Sequence, residues 1–321
     1  MSILRNPFLI AAIVFLLLLT LIALYFDHEP SFIAVENNQD QEVIVGVATT
    51  DMLIKSVETL FNKPGGYLSN DVMPPSVFLD NVPNWEFGVV QQIRDLAKTL
   101  RNDYSRSQTQ SVADKDLEVA EPKFNVDTEA WMFPSAEGEY SEGVESLKKY
   151  LNRLQDPAQK NAQFFARADN LNEWLSLVEK RLGSLSQRLS SSRPQVRQNT
   201  DLAGDANAEQ STKNDSQVIT ETSWFDIDDN FYEARGTAWA LIHYLRAAEV
   251  DFKPVLEDKN AVPTLRQIIV ELQATQQPVT SPMIMNGKGM GMFANHSLVM
   301  SSYISRANAG IADLRRLLSE G

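Results

Sequence analysis

One loop near the C-terminus combines residue types that readily bind a ligand. It spans residues 283–293, contains four methionines and three glycines, and leads into a helix that Asn295 is expected to cap. Glycines in front of a helix expose backbone N–H groups to an anion, and Lys288 adds positive charge. The candidate ligand or partner site consists of Asn286, Gly287, Lys288, Gly289, Asn295 and His296.

The same loop has a second interpretation. The spacing of a phosphate-binding loop, in which Gly-Lys-Ser/Thr follows a first glycine by four residues, is absent, and no strand is predicted before it. A tight turn whose methionines and Phe293 pack on the core or on a partner is favoured. His296 adjoins Ser297, but sequence neighbours point to different sides of a helix and do not form a nucleophile–base pair. We therefore predict no catalytic residue and no cofactor.

The chain offers few metal ligands. It has no cysteine, and its three histidines are far apart in sequence. Residues 226–230 are acidic at alternate positions, as at the start of an EF-hand loop. That loop requires Gly at its sixth position and Glu at its twelfth, where this chain has Phe231 and Thr237. We interpret the acidic run as a helix start that favours the helix dipole, and we predict no metal site.

The N-terminus contains an apolar run that predicts a membrane anchor. Residues 8–26 are apolar apart from Thr20, with Arg5 before them and Asp27 directly after. A helix of about 19 residues at about 1.5 Å each just crosses a hydrocarbon layer of about 30 Å. Because cytoplasmic flanks favour basic residues, residues 1–7 are predicted in the cytoplasm and everything after Asp27 outside it.

A cleaved signal peptide is the competing interpretation of this run. Such peptides have a shorter apolar core and end in a pair of small residues. Here the run ends Ala23-Leu24-Tyr25-Phe26-Asp27, without such a pair. The length and the ending both favour a retained anchor.

The charge balance restricts the partners. The chain has 42 acidic against 29 basic residues and a net charge of −13. An acidic body repels phosphate backbones and anionic lipid surfaces, so nucleic-acid binding is not expected. The partners we predict are other envelope proteins and, through residues 8–26, the lipid bilayer.

Hydrophobic periodicity predicts an all-α fold. Helical patterns fill most of residues 27–189 and 222–321, which we expect to pack together, whereas residues 190–221 are polar and lack aromatic residues. That polar stretch predicts a disordered linker, because it cannot bury enough apolar surface to offset its ordering entropy.

The most regular pattern predicts a long helical hairpin. Asp156-Pro157 resembles a helix start. Apolar residues then recur four and three apart from Phe164 to Leu189, which is typical of a coiled-coil seam. A short turn at Asp156 favours pairing with the preceding helix, while a homo-oligomer would explain the seam as well.

Several motifs resemble a known family. They are Lys63-Pro64-Gly65-Gly66-Tyr67-Leu68-Ser69-Asn70-Asp71, Asp80-Asn81-Val82-Pro83-Asn84-Trp85-Glu86, Ser105-Arg106-Ser107-Gln108, Ala166-Arg167-Ala168-Asp169-Asn170-Leu171, Ala294-Asn295-His296-Ser297-Leu298 and Tyr303-Ile304-Ser305-Arg306-Ala307-Asn308-Ala309. Together they resemble the proteobacterial domain of unknown function two-three-three-three. The resemblance implies a Gram-negative inner-membrane protein with a periplasmic body, and it supplies no reaction, ligand or catalytic residue.

Two functions follow as expectations. The first is a single-pass inner-membrane protein whose periplasmic helical bundle binds or scaffolds other envelope proteins. The alternative is a ligand-binding or hydrolytic envelope enzyme that uses loop 283–293 and His296. Convergence of this loop with carboxylates in a deep polar pocket would favour the enzyme. An exposed patch of methionines would favour a partner surface.

Overall fold

The computed structural model describes residues 7–34, 44–107, 112–159, 161–198, 217–281 and 283–320. Within these residues the chain is mostly helical, which confirms the all-α class. The helices are α1 (Pro7–Phe26), α2 (Val47–Asn62), α3 (Asn81–Thr99, continued by a π-helical turn Leu100–Tyr104), α4 (Lys115–Phe124), α5 (Ala136–Gln155), α6 (Ala168–Ser190), α7 (Ile227–Asp251), α8 (Lys253–Asp258), α9 (Val262–Ala274) and α10 (His296–Ser319).

Helix α7 lies at the centre of the body. It is buried along most of its length and packs on α2, α3, α9 and α10. Its crossing with α3 is unusually close. A Cβ at Gly236 would lie 1.9 Å from the carbonyl oxygen of Trp85, and a Cβ at Gly88 would lie 2.2 Å from that of Glu233. The two backbones can approach this closely only because glycine has no side chain.

The predicted hairpin is wrong, because the seam of α6 is covered by α10. The apolar residues of the repeat from Leu171 to Leu189 are buried, as the pattern requires. They face α10, with α3 and α7 alongside. Helix α5 packs on α4 and α2 instead. Between them, Asp156 caps only a turn and α6 begins at Ala168, so the connection is too long to force neighbouring helices together.

The connection before α6 is held at one end of the body. The N–H of Phe165 donates to the carbonyl of Tyr104 (2.7 Å), and the hydroxyl of Tyr150 donates to the carbonyl of Gln163 (2.7 Å). These bonds carry the chain away from α5 before α6 starts. Periodicity identified the apolar face of α6, and the route of the chain decides which helix covers it.

The predicted linker at 190–221 is ordered at both ends. Strands β1 (Gln195–Gln198) and β2 (Gln217–Thr220) form an antiparallel pair in which Val196 lies opposite Ile219. This pairing corrects the prediction at those residues. The middle of the segment, residues 199–216, lies outside the described residues.

The helices run between two ends of the body. The anchor pole, as we name the first, is where contacts bring together the ends of α1, α2, α6 and α9 and the starts of α3, α5, α7 and α10. Two contacts illustrate it. Lys63, directly after α2, pairs with Glu86 of α3 (2.7 Å), and the ring of Phe231 in α7 lies 6.4 Å from that of His296 in α10.

The opposite end, which we name the distal pole, joins the end of α7 to the start of α2. The buried carboxylate of Asp251 accepts the N–H groups of Gly46 (2.9 Å) and Thr49 (2.7 Å). It thereby caps α2 from another helix, since the capping position itself is a glycine with φ of 91°.

Among the described residues, α1 is the one helix long and apolar enough to cross a membrane, with a mean hydropathy of 3.0 and no buried residue. The segment after it lies along α7. Arg235 donates to both carboxylate oxygens of Glu29 (2.7 Å each), and the N–H of Ile33 donates to Nε2 of His243 (2.9 Å). The chain that leaves α1 is therefore part of the folded body.

Two glycine-to-alanine variants, one at the crossing of α3 with α7 and one away from it, test how closely these helices approach. We expect Gly236→Ala to lower the free energy of unfolding by about 1–3 kcal/mol or more, because a methyl group would overlap the α3 backbone. Gly183 of α6 is the matched control, since a Cβ there would be 3.7 Å from the nearest atom. Gly183→Ala should raise stability by about 0.5–1 kcal/mol. Denaturant unfolding in detergent measures both, and equal effects would contradict the crossing.

The buried imidazole of His243 predicts a pH dependence of stability. Burial lowers the pKa of His243 to about 4 from its usual 6.5. The contribution of the neutral His243 ring to the free energy of unfolding is fully present above pH 6.5. It is lost as the pH falls towards 4, because the unfolded chain then takes up a proton that the native ring excludes. The loss approaches about 3 kcal/mol.

His243→Gln provides the comparison, since the side-chain amide can still accept the Ile33 N–H. The difference in unfolding free energy between wild type and variant should shrink between pH 7 and pH 4.5. A difference that is constant across this range would show that His243 titrates normally in the native protein.

Candidate functional site

The candidate loop is a hairpin closed by its own backbone. Asn286 and Asn295 form an antiparallel bridge, and the N–H of Gly287 donates to the carbonyl of Ala294 (2.8 Å). The backbone of Met285 exchanges two hydrogen bonds with His296: its carbonyl accepts the His296 N–H (3.0 Å), and its N–H donates to Nδ1 of the ring (3.1 Å). The base of the hairpin is therefore rigid.

Two asparagines lock this base to the helices. The Asn295 side chain accepts the N–H of Leu298 (2.9 Å), which confirms its predicted role as the cap of α10. Its amide donates to Oδ1 of Asn286 (2.8 Å) and to the carbonyl of Gly287 (2.9 Å). Asn286 in turn donates to the carbonyl of Ser192, after α6 (2.9 Å). These bonds give both asparagines a structural role.

Gly287 is required by the fold of the hairpin. A Cβ at this position would lie 2.0 Å from the carbonyl oxygen of Phe293. Lys288 and Gly289 lie beyond the base, in the exposed tip. Of the six candidate residues, Asn286, Gly287, Asn295 and His296 build the hairpin and the other two are carried by it.

The tip of the hairpin is apolar and faces solvent. Met290 and Met292 are fully exposed, and Phe293 and Met283 are more than half exposed. Packing on the core was one of the two expected options, and these four side chains do not adopt it, because the bonded base holds the tip away from the body. The remaining option, a partner that covers them, is consistent with this geometry.

His296 borders a cavity, but carboxylates do not converge there. The cavity has a volume of about 190 Å³ and is also lined by Phe231, Arg235 and Tyr303. Among the described residues that line it, none is Asp or Glu. Arg235 is already committed to Glu29 and to the carbonyls of Thr275 and Gln277 at the end of α9 (2.9 Å each). No acid–base pair is assembled around the His296 ring in the described part of the chain.

A metal centre also finds no support in the described residues, where no group of three His, Asp or Glu side chains could hold an ion. Asp228 and Asp229 lie at the start of α7, as the helix-start interpretation predicts. The Asp229 carboxylate accepts the side-chain amide of Asn84 (2.7 Å). Burial, with the charges of Asp228 and Asp80, raises the pKa of Asp229 to about 6.

Exposed aromatic and methionine side chains are confined to one end of the body. Outside α1 and the segment that follows it, every exposed Trp, Phe and Met of the described residues lies in four loops: 72–78, 131–133, 224–225 and 283–293. The first precedes α3, the second precedes α5, the third precedes α7 and the fourth precedes α10. All four therefore lie at the anchor pole.

A buried ion pair holds the turn that leads into the first of these loops. Lys63 and Glu86 have fully buried side chains 2.7 Å apart. Glu86 also accepts the N–H groups of Leu68 (2.9 Å) and Ser69 (2.8 Å) and the Ser69 hydroxyl. Burial raises the pKa of Glu86, and the Lys63 ammonium and these donors oppose that rise.

The turn that this ion pair holds also contacts the neighbouring elements. The ring of Phe26, the last residue of α1, packs directly on Gly65, where a Cβ would lie 2.8 Å from it. On the other side, the amide of Asn70 donates to the carbonyl of Ala130 (3.0 Å) and the hydroxyl of Tyr67 to that of Thr128 (3.1 Å). The end of α1, the turn at residues 65–70 just before loop 72–78, and residues 128–130 just before loop 131–133 are therefore adjacent.

Sequence reasoning missed the aromatic loops, although a signal was present. Trp131-Met132-Phe133 and Trp224-Phe225 are consecutive large apolar residues in stretches without helical periodicity. Such residues have no helical face on which to be buried. Their exposure could have been suspected for that reason.

These features define a class: a helical body that follows one N-terminal apolar helix and carries its exposed apolar loops at the end next to that helix. The chain belongs to the DUF2333 family, described as an uncharacterized protein conserved in bacteria, whose model matches residues 3–321. The resemblance found in the motifs is thus confirmed. Comparisons with curated proteins and with solved structures find no match.

Removing one partner of the buried pair should destabilise the anchor pole. We expect Lys63→Met to cost about 3–5 kcal/mol of unfolding free energy, because Glu86 is left as an uncompensated buried charge. The double variant Lys63→Met/Glu86→Gln should recover part of this loss. Lys148, which pairs with Glu58 at the surface (2.6 Å), is the control, and Lys148→Met should cost less than about 1 kcal/mol. Similar costs in the two single variants would contradict the role of burial.

Proposed function

We propose that this chain is a single-pass inner-membrane protein of the bacterial envelope whose periplasmic helical body binds and scaffolds other proteins. Residues 1–7 lie in the cytoplasm and α1 is retained as the anchor. The hairpin tip at residues 288–293 is the contact for a protein partner.

The exposed tip is the observation that carries this proposal. Methionine side chains are flexible and polarisable, so they adapt to the surface of a partner. Here two of them stand fully exposed beside Phe293, on a base fixed by the bonds of Asn286 and Asn295. Because the base is already ordered, binding costs little backbone entropy, and the entropic cost is confined to the side chains of the tip.

Two observations support a retained anchor. Helix α1 has no buried residue, so nothing in the described body shields its apolar surface from water, and a bilayer would do so. Its last residue, Phe26, packs on Gly65 and thus takes part in the fold. A signal peptide removed during export would not contribute a side chain to the mature body.

The enzymatic alternative finds less support. His296 uses Nδ1 as an acceptor for the Met285 N–H and belongs to the hairpin base. Lys288 is exposed, and the described lining of the neighbouring cavity has no carboxylate. The loop that would supply the chemistry instead presents apolar side chains to solvent.

The absence of cysteine permits a clean test, because any introduced cysteine is the single thiol of the chain. Met292→Cys places it on the exposed tip, and Val112→Cys, also highly exposed, is the control away from the hairpin. In cells with a permeabilised outer membrane, an impermeant maleimide should label both. A photoreactive maleimide should then crosslink a specific protein from position 292 and not from 112.

Two results would contradict the proposal. If the thiols react only after the inner membrane is lysed, the body is not periplasmic. If positions 112 and 292 give the same crosslinked products, the tip has no specific partner.

A further inference from the structure

The anchor pole has the composition of a surface that meets a bilayer. Loops 72–78, 131–133 and 224–225 together expose Met73, Phe78, Trp131, Met132, Phe133, Trp224 and Phe225. Trp and other amphipathic aromatic rings concentrate at membrane interfaces, where one edge is apolar and the other is wet. Among the described residues of the distal pole, the exposed apolar side chains are aliphatic, such as Val112.

The chain itself brings this surface to the membrane. Helix α1 ends at the anchor pole, where Phe26 packs on Gly65 of the clamped turn. Asp27, the next residue, lies close enough to Asp80 at the start of α3 for the two charges to interact. Loop 72–78 directly precedes Asp80. The point at which α1 leaves the bilayer is therefore next to the exposed aromatic loops.

The connection between α1 and the body is too short and too firmly held for the pole to move far away. Glu29 follows α1 by three residues and is bonded at both oxygens to Arg235 of α7. Ile33 is bonded to His243 two turns further along α7. Such a tether keeps the local concentration of lipid at the pole very high. Weak insertion of a few side chains is then sufficient to hold the pole against the bilayer.

Charge does not provide the attraction. The chain has a net charge of −13, and Asp27, Asp80, Asp228 and Asp229 lie at this pole. Anionic head groups would repel these carboxylates. Contact with the bilayer must therefore rest on the apolar side chains, and it must occur with zwitterionic lipids.

We propose that loops 72–78, 131–133 and 224–225 insert into the outer boundary of the bilayer that α1 crosses, and so seat the body on the membrane. This proposal rests on the retained anchor of the proposed function. It makes the body a membrane-surface module, and a protein that reaches the hairpin at the same pole must itself lie in or on that membrane.

Quenching of fluorescence by lipid spin labels, measured on the full chain in nanodiscs of zwitterionic lipid, tests the proposed insertion of the loops, which we call the seat. Single-cysteine variants Phe78→Cys, Phe133→Cys and Phe225→Cys carry an environment-sensitive fluorophore, and these side chains are 78%, 92% and 79% exposed, so folding is not disturbed. Val14→Cys in α1 and Val112→Cys at the distal pole are the controls. The quencher is a lipid spin label, attached at a shallow acyl carbon for the loop positions, at a deep acyl carbon for position 14, and at each in turn for position 112.

We expect at least about twofold stronger quenching at positions 78, 133 and 225 than at 112, since interfacial side chains enter about 5–10 Å into the head-group boundary. Adding anionic lipid should not strengthen it. If positions 78, 133 and 225 resemble 112 while 14 is quenched, the seat is refuted and the anchor stands. If position 14 is not quenched, the anchor and the seat both fail.

A label at Met292→Cys separates the two proposals. Quenching there would place the hairpin in lipid, which would remove the support for a protein partner and leave the seat intact. Unmodified protein gives an independent readout, because Trp131 and Trp224 are exposed while Trp85, Trp174 and Trp239 are buried. Brominated lipid should quench wild-type emission, and Trp131→Phe/Trp224→Phe should abolish most of that effect. Equal quenching of wild type and variant would refute the seat.

Discussion

The structure of the anchor pole depends on one buried charge, the carboxylate of Glu86. Glu86 is fully buried, and its carboxylate is neutralised by Lys63 and bonded by the backbone and hydroxyl groups of the turn at Leu68 and Ser69. Because the interior solvates an isolated ion poorly, each of these partners has to stay in place while Glu86 is ionised. The turn is consequently fixed to α3. The turn then serves as the support for Phe26 on one side and for residues 128–130 on the other.

A second buried cation, Arg235, extends this order to the other half of the pole. Its guanidinium joins the segment after α1 to α7 and to the carbonyls at the end of α9. Guanidinium geometry suits such a junction, because its donors form a planar fork that can bind a carboxylate at two points. The polypeptide that leaves α1 is thereby attached to the most buried helix of the body. Movement of α1 and of the body are mechanically coupled, in contrast to a protein joined to its anchor by a flexible linker.

Much of the helical content was accessible from sequence, because each helix carries its own periodicity. The N-terminal apolar helix, long enough to cross a membrane, and the cap at Asn295 followed from local patterns. The partner of α6 did not. A heptad repeat specifies an apolar stripe and leaves open which other stripe covers it. The choice of α10 over α5 is made by the connection at 156–167, whose bonds to Tyr104 and Tyr150 have no periodic signature.

The site was predicted in part for a related reason. Asn286 was selected as a polar group in a glycine-rich loop, and Asn295 and His296 as polar groups at the start of the helix that follows. Polar groups near a helix start serve equally well as ligands or as structural contacts. Their roles are decided by distance: each finds an acceptor or donor within the hairpin. Lys63 and Glu86 stood in two separate motifs, and nothing in either motif showed that they meet. Pairing across such a gap requires the tertiary fold.

The position of the apolar loops has a consequence for function that does not depend on which molecule covers each loop. All four lie at the end where α1 joins the body, so any binding to them takes place near the membrane that α1 is proposed to cross. Confinement to a surface raises the effective concentration of every other protein confined there, so modest contacts suffice for assembly. A soluble substrate gains no such advantage from a site at this pole. With α1 as a retained anchor, as proposed, this position of the loops suits a protein that organises its neighbours in the plane of the bilayer.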